Sequence, residues 1–238
     1  MRRAALISLV LLAAPAAAAA KAPVVVELYT AQGCASCGEA NAFVGKLADR
    51  PGLLPLTFSV DYWDYLGWAD TFAKPEFAQR QKAYVARLAL REPYTPQVVI
   101  DGHAQAAGQQ TDRIEALVRD AARARRDPPD VRFITARRVD VGFGAPPHGG
   151  AEVWLVRYDP RERDVEVKTG DNRGQTIAHK NVVRQVQRLG AWKGRPTAYR
   201  LTPPPEDGLS TVVLVQAAQG GRVLAVAQPG APAGAAKP

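Results

Sequence analysis

Val24-Val25-Val26-Glu27-Leu28-Tyr29, then Thr30-Ala31-Gln32-Gly33, then Cys34-Ala35-Ser36-Cys37, is the stretch on which the reading of this chain turns. Its first six residues follow Pro23 and are apolar apart from one acid, the pattern of a strand buried on both faces. Gly33 marks a turn. Ala40, Phe43, Val44, Leu47 and Ala48 then recur at the spacing of one helix face, and Pro51-Gly52 ends that helix. Leu54 to Val60 reads as a second strand. A strand–helix–strand unit of this kind predicts parallel strands with a right-handed crossover, and it puts both cysteines on the loop that enters the helix.

That placement gives the two sulfurs different chemistry. Cys34 lies at the helix N-terminus, where free N–H groups and the positive dipole end favour a thiolate and lower its pKa, so it is the expected attacking sulfur. Cys37 enters the helix, is more covered, and is placed to attack a mixed disulfide and release the partner. The reading requires that a partner can reach Cys34. A stabilising disulfide is the plain alternative, but closing so short a loop removes only ~2 kcal/mol of unfolded-chain entropy, against nearly 5 for a loop of about 100 residues. A third reading has the two thiolates binding copper or zinc with help from Asp61 or His103. With 2 Cys and 1 Met in the chain, a four-thiolate zinc site and Met-rich copper binding are excluded.

Moving outward, Phe77, Ala78, Gln81, Tyr84, Val85 and Leu88 mark a second helix with Pro75 near its first turn. Gln97 to Ile100 reads as a strand entering a hairpin at Asp101-Gly102. Ile114, Leu117 and Val118 lie on a third helix, with Thr111 as its expected cap. Thr95-Pro96 stands just before the strand, where a missing N–H is tolerated. If that bond is cis, the Thr95 backbone turns towards a neighbouring loop and can pair with an extended partner chain. Asp61 to Trp68 carries two Asp, two Tyr and two Trp at the C-terminal end of the second strand, the edge of an open α/β sheet where ligands bind. It either walls a groove beside Cys34 or packs against its own domain or the second half. His103 and His148 read as turn and loop residues.

Asp127-Pro128-Pro129-Asp130 breaks the pattern and reads as a linker. Beyond it helical periodicity nearly vanishes, and Val131–Val141, Ala151–Tyr158, Val165–Thr169, Thr197–Thr202, Thr211–Ala217 and Val223–Ala227 read as strands of a small β-sandwich. Asn181 to Leu189 suits a strand or a helix. The division is therefore 21–126 and 131–228, with a disordered Ala/Gly/Pro tail over 229–238.

The first twenty residues read as a secretory signal: Arg2 and Arg3, an apolar run from Ala4 to Ala14, and Ala18-Ala19-Ala20 before the cut. The expected location is periplasmic or secreted, with no membrane insertion after cleavage, in a compartment where disulfides persist. Net charge is +8 over 238 residues. The arginines, including Arg123, Arg125 and Arg126, form no basic stripe interleaved with aromatics, so nucleic acid is not an expected partner.

Cys-x-x-Cys after a first strand with Thr-Pro before a later one resembles the thioredoxin superfamily. More narrowly, the stretch from Val26 to Cys34, the stretch from Val60 to Trp68, Tyr94-Thr95-Pro96-Gln97, Asn172-Arg173-Gly174 and His179-Lys180-Asn181-Val182-Val183-Arg184 are similar to the secreted domain of unknown function 1223 family. The resemblance implies a thioredoxin-like α/β domain followed by a small all-β domain in an exported bacterial protein. It supplies no established activity. Departures from thioredoxin are plain: the dipeptide between the cysteines is Ala-Ser, Gly33 stands where thioredoxin has Trp, and Glu27 is offset by one residue from the buried acid. One residue reverses the face of a strand, so Glu27 is a doubtful proton acceptor for Cys37.

The resulting expectation is a thiol–disulfide oxidoreductase acting on envelope protein thiols or disulfides without a cofactor. Cys34, Cys37, Thr95 and Pro96 form its catalytic set, and Asp61, Trp63, Trp68 and Tyr94 its substrate-binding set. The competing expectations are a periplasmic metal-binding protein and a non-catalytic binding module.

Overall fold

The computed structural model describes residues 22–124 and 127–230. The signal-like segment, Arg125 and Arg126, and all but two residues of the expected tail lie outside the described residues.

The opening stretch forms strand β1 (Val24–Thr30), helix α1 (Cys37–Leu47) and strand β2 (Leu53–Ser59). β1 and β2 are parallel, with Val24 opposite Leu53 and Thr30 opposite Ser59. β3 (Gln97–Ile100) runs antiparallel on the other side of β1 and turns into β4 (Ala104–Ala107). The turn uses Asp101 at φ 46° and Gly102 at φ 66°, the left-handed pair that matches strand twist. Every residue of β1 is buried. Val24, Val26 and Leu28 meet α1 and helix α3 (Thr111–Arg123) on one face, while Val25 and Tyr29 share the other face with Phe77 and Tyr84 of helix α2 (Pro75–Arg87). A near-continuous apolar strand is what coverage on both faces demands.

The second half supplies β5 (Val131–Thr135), β6 (Arg138–Val141), β7 (Ala151–Asp159), β8 (Arg163–Glu166), β9 (Thr176–His179), β10 (Val182–Trp192), β11 (Thr197–Arg200), β12 (Ser210–Ala217) and β13 (Val223–Ala227). β11, β6 and β5 form a three-stranded layer. The core against it contains Val141, Leu155, Trp192, Val213 and Val215. The larger layer does not belong to the second half alone. One eight-stranded sheet runs β13-β12-β7-β10-β2-β1-β3-β4, straight across the division expected at 127–130.

The junction is narrow. β10 pairs with β2 in parallel at Val182 and Thr57. The Thr57 N–H donates to the Asn181 carbonyl at 3.0 Å, and its hydroxyl to the Lys180 carbonyl at 2.7 Å. Asn181 Nδ2 returns a bond to the Pro55 carbonyl at 2.8 Å. Pro55 stands two residues before Thr57, on the same side of the strand, and its missing N–H ends the ladder there. Packing makes up for the short ladder: Phe77, Ala78 and Tyr84 of α2 share one buried cluster with Val156, Val183, Val212, Leu214 and Val223 of the second half.

Several local expectations shift. Val131–Val141 is a hairpin of β5 and β6, broken at Ala136-Arg137, rather than one strand. Thr111 is the first residue of α3 and not its cap; Gln110 caps it without a side-chain bond. From Val182 onward the ambiguous 181–189 stretch lies in strand β10, because its residues pair along β7. β4 and β9 carry too little alternation to stand out, and neighbouring strands impose their conformation.

Candidate functional site

Ser36 precedes α1 as its N-cap with no side-chain cap bond, so the cap side chain fills none of the first-turn N–H groups. Cys34 and Cys37 are joined as a disulfide at this point. The Cys34 N–H donates to the Ala31 carbonyl at 3.2 Å and the Cys37 N–H to the Cys34 carbonyl at 3.1 Å, two tight turns that bring the sulfurs together. The sequence reading required an accessible Cys34, and the structure does not meet that requirement: Cys34 is 2% exposed and Cys37 fully covered.

Thr95-Pro96 lies at the same end of the sheet, and its peptide bond is cis. The Pro96 carbonyl accepts the Gly108 N–H at 2.9 Å. A Cβ placed on Gly108 would fall 2.6 Å from Ala40 Cβ and 2.8 Å from Pro96 Cβ, so Pro96, Gly108 and α1 are in direct mutual contact. Trp63 ties the proline segment to the cysteine loop: its Nε1 donates to Thr95 Oγ1 at 2.7 Å, and Gly33 packs against it. A groove of about 580 Å³ runs from Ala35 and Ser36 past Gly38 and Glu39 to Gln109 and Ile177.

The aromatic segment follows β2 through a short 3-10 turn at Asp64–Leu66. Its members do different things. Trp63 stacks with Tyr65, ring centroids 6.4 Å apart, and Tyr65 is 78% exposed. Tyr62 donates to Gln81 Oε1 at 3.2 Å, and burial pushes its hydroxyl pKa up to about 12. Trp68 donates to Gln32 Oε1 at 2.8 Å, turning inward to support the loop before Cys34. Asp61 is half-buried at the start of the turn, its carbonyl accepting the Asp64 N–H. Tyr94 is held by its hydroxyl on Gln105, its carbonyl accepts Gln81 Nε2 at 2.8 Å, and burial raises its pKa. The structure therefore sets Trp63 against Gly33 beside Cys34, with Thr95 bonded to Trp63 and Pro96 next to Gly108 and Ala40 of α1, while Trp68 and Tyr94 brace the loops around them.

Sequence reasoning missed the residues that hold the cysteine loop. The Gln32 N–H donates to Asp70 Oδ2 at 2.7 Å, and its amide oxygen also accepts the Thr71 N–H at 3.1 Å. Burial raises the Asp70 pKa even though Gln32 and Phe72 donate to it. From the second half, Asn172 Nδ2 donates to the carbonyls of Gln32 at 2.7 Å and Cys34 at 2.9 Å. Only its place in the Asn172-Arg173-Gly174 motif flagged it.

Glu27 faces α2. Arg80 forks it through Nε at 2.8 Å and Nη2 at 2.7 Å, and the hydroxyls of Tyr29 and Tyr84 donate at 2.8 and 2.7 Å. Burial alone would raise its pKa; Arg80 and the two hydroxyls hold it below the ordinary 4.5. It is an ionised structural carboxylate with its acceptors filled. His179 and Arg184 join the halves through Phe72, with His179 edge-on at 5.3 Å and the Arg184 guanidinium over the ring at 5.3 Å. Among the described residues no group of three or more His, Cys, Asp or Glu side chains converges as a metal set.

The chain matches the family described as "Protein of unknown function (DUF1223)" over residues 25–216 and belongs to it. It is similar to the crystal structure of protein AGR_C_4864 from Agrobacterium tumefaciens, with 30% identity and a TM-score of 0.68, covering 88% of this chain and 95% of that one. HBP35 of Porphyromonas gingivalis is similar in fold at 13% identity and a TM-score of 0.55, over 89% of this chain and 76% of that one. No curated protein matches significantly.

Proposed function

We propose that this DUF1223 protein is an exported thiol–disulfide exchange protein with a thioredoxin-like first half, acting on protein thiols or disulfides of the cell envelope through Cys34 and Cys37. The observation that carries the reading is convergence. A disulfide at the open N-terminus of α1, the Thr95-Pro96 segment and Trp63 meet at one end of one sheet. A bridge of sequence separation 3 contributes little to folding, whereas a sulfur before an open helix turn is stabilised as a thiolate.

From the oxidised form, a partner thiolate attacks Cys34 Sγ. The Cys34–Cys37 bond breaks, Cys37 leaves as a thiolate and takes up a proton, and a mixed disulfide forms. A second partner thiolate attacks the partner sulfur of that bond and releases Cys34. The partner gains a disulfide, and its two electrons end on Cys34, released as a thiolate, and on Cys37, which carries the proton it took up. The reverse sequence reduces a partner disulfide, and the relative potentials set the direction. The groove beside Ser36 and Gln109 suits an extended segment of the partner.

The test traps the intermediate. In glutathione buffers at pH 7, Cys37→Ser should accumulate a mixed disulfide on Cys34 detectable by intact mass, and Cys34→Ser should accumulate none on Cys37. A folded wild-type protein that never exchanges its disulfide with glutathione over hours overturns the reading.

A further inference from the structure

The segment between β8 and β9 closes on itself: the Val167 N–H donates to the Gln175 carbonyl at 2.9 Å and the Gly174 N–H to the Val167 carbonyl at 2.8 Å. Such a loop, with its ends pinned together, packs as a compact surface unit. It reaches across to the first half at three places. Thr169 Oγ1 donates to the Gly67 carbonyl at 2.6 Å, Gly170 lies against Leu66 and Trp68, and Asn172 donates to Gln32 and Cys34. Just beyond it, Ile177 of β9 packs against Gly38 in the first turn of α1. The second half thus lies along the cysteine loop, and Cys34, whose carbonyl Asn172 holds, is 2% exposed.

Asn172 is the innermost contact. It is 1% exposed, both its bonds go to main-chain carbonyls flanking Gly33, and its Oδ1 is buried without a partner. A buried amide oxygen left unpaired costs free energy, so its position is set by what Nδ2 holds. Those two bonds fix the Cys34 carbonyl, which also receives the Cys37 N–H, and so fix the turn that sets the sulfur before the helix.

We propose that Asn172 is a positioning residue of the dithiol site, and that the 167–175 loop it anchors must lift before a partner reaches Cys34. The proposal rests on the exchange reading for its purpose but not for its test. The second half is then the gate of the site, and exchange with any thiol, glutathione included, runs at a rate set by how often the loop opens. Two hydrogen bonds of ordinary strength correspond to opening made easier by roughly tenfold to a hundredfold when both are lost.

The experiment measures the rate at which dithiothreitol reduces the Cys34–Cys37 disulfide in native buffer, for wild type, Asn172→Ala, Asn172→Asp and Val213→Ala. Asn172→Asp keeps the shape but cannot donate, so it separates lost hydrogen bonds from lost volume. Val213 lies in the distant core against the three-stranded layer, so Val213→Ala lowers stability without touching the loop. Both Asn172 variants should be reduced at least about tenfold faster than wild type, with Val213→Ala near the wild-type rate. The alkylation pH profile of the reduced Asn172 variants should also move upward, because the thiol is no longer held before α1. Equal rates in wild type and both Asn172 variants, or an equal gain in Val213→Ala, overturn the proposal. Failure of glutathione exchange with a preserved Asn172 effect would instead overturn the function and leave the gate standing.

Discussion

Replacing Arg80 by Met keeps an unbranched stem and removes the guanidinium from a site buried to 5% side-chain exposure, facing a Glu27 side chain exposed 1%. The carboxylate would keep only the Tyr29 and Tyr84 hydroxyls. Removing one partner of a buried pair costs roughly 3–5 kcal/mol, since the remaining charge stays desolvated, a large share of the ~5–15 kcal/mol that holds a typical domain. The loss should fall on both halves at once, because Arg80 also donates to Gln216 at 3.2 Å and sits over the Trp154 ring at 5.4 Å. Urea unfolding followed by far-UV circular dichroism and by tryptophan fluorescence should give coincident transitions, both moved to lower urea. Trp63 and Trp68 report one half and Trp154 and Trp192 the other.

The pH dependence carries its own sign. In the wild type the Glu27 pKa lies below its ordinary value of 4.5, so its contribution is present above about pH 4.5 and is lost as pH falls through the folded pKa. Without Arg80, burial dominates and raises that pKa, and protonation relieves the penalty. The gap between Arg80→Met and wild type should therefore narrow on acidification towards pH ~4. Adding Glu27→Leu should recover most of the loss, as apolar replacement of a whole buried pair usually does. A cost under about 1 kcal/mol, the scale of an exposed pair, or separate transitions by the two probes, would refute the claim that this network locks the halves into one unit.

Gly108→Ala would drive a methyl group to within 2.6 Å of Ala40 Cβ and 2.8 Å of Pro96 Cβ. It should cost about 1–3 kcal/mol in thermal unfolding and slow glutathione exchange at Cys34 as α1 and the proline segment move apart; an unchanged melting temperature would count against the packing described. His179 is 1% exposed, and burial lowers its pKa from 6.5. Its contribution is thus present above about pH 6.5 and lost as pH falls through the lower folded value. The stability of His179→Gln should fall less steeply between pH 6.5 and 5 than that of the wild type, and parallel curves would refute the assignment.

Much of the first half was legible in order of residues. The apolar run Val24–Tyr29, the helix face from Ala40 to Leu47 and the Gln97–Ile100 strand all came through, because a strand or helix buried by its neighbours writes that burial into its own periodicity. The loop bearing both cysteines, and its place at the mouth of α1, followed from the same pattern. Periodicity reports that a face is covered and not what covers it. That a single Thr57–Val182 pairing carries one sheet through both halves, that Arg80 meets Gln216 across 136 residues of chain, and that Asn172 reaches Cys34 across 138 were decided by tertiary structure. Each is a contact between polar groups too far apart in sequence for any local pattern to pair them, satisfied only once the surrounding strands have excluded water.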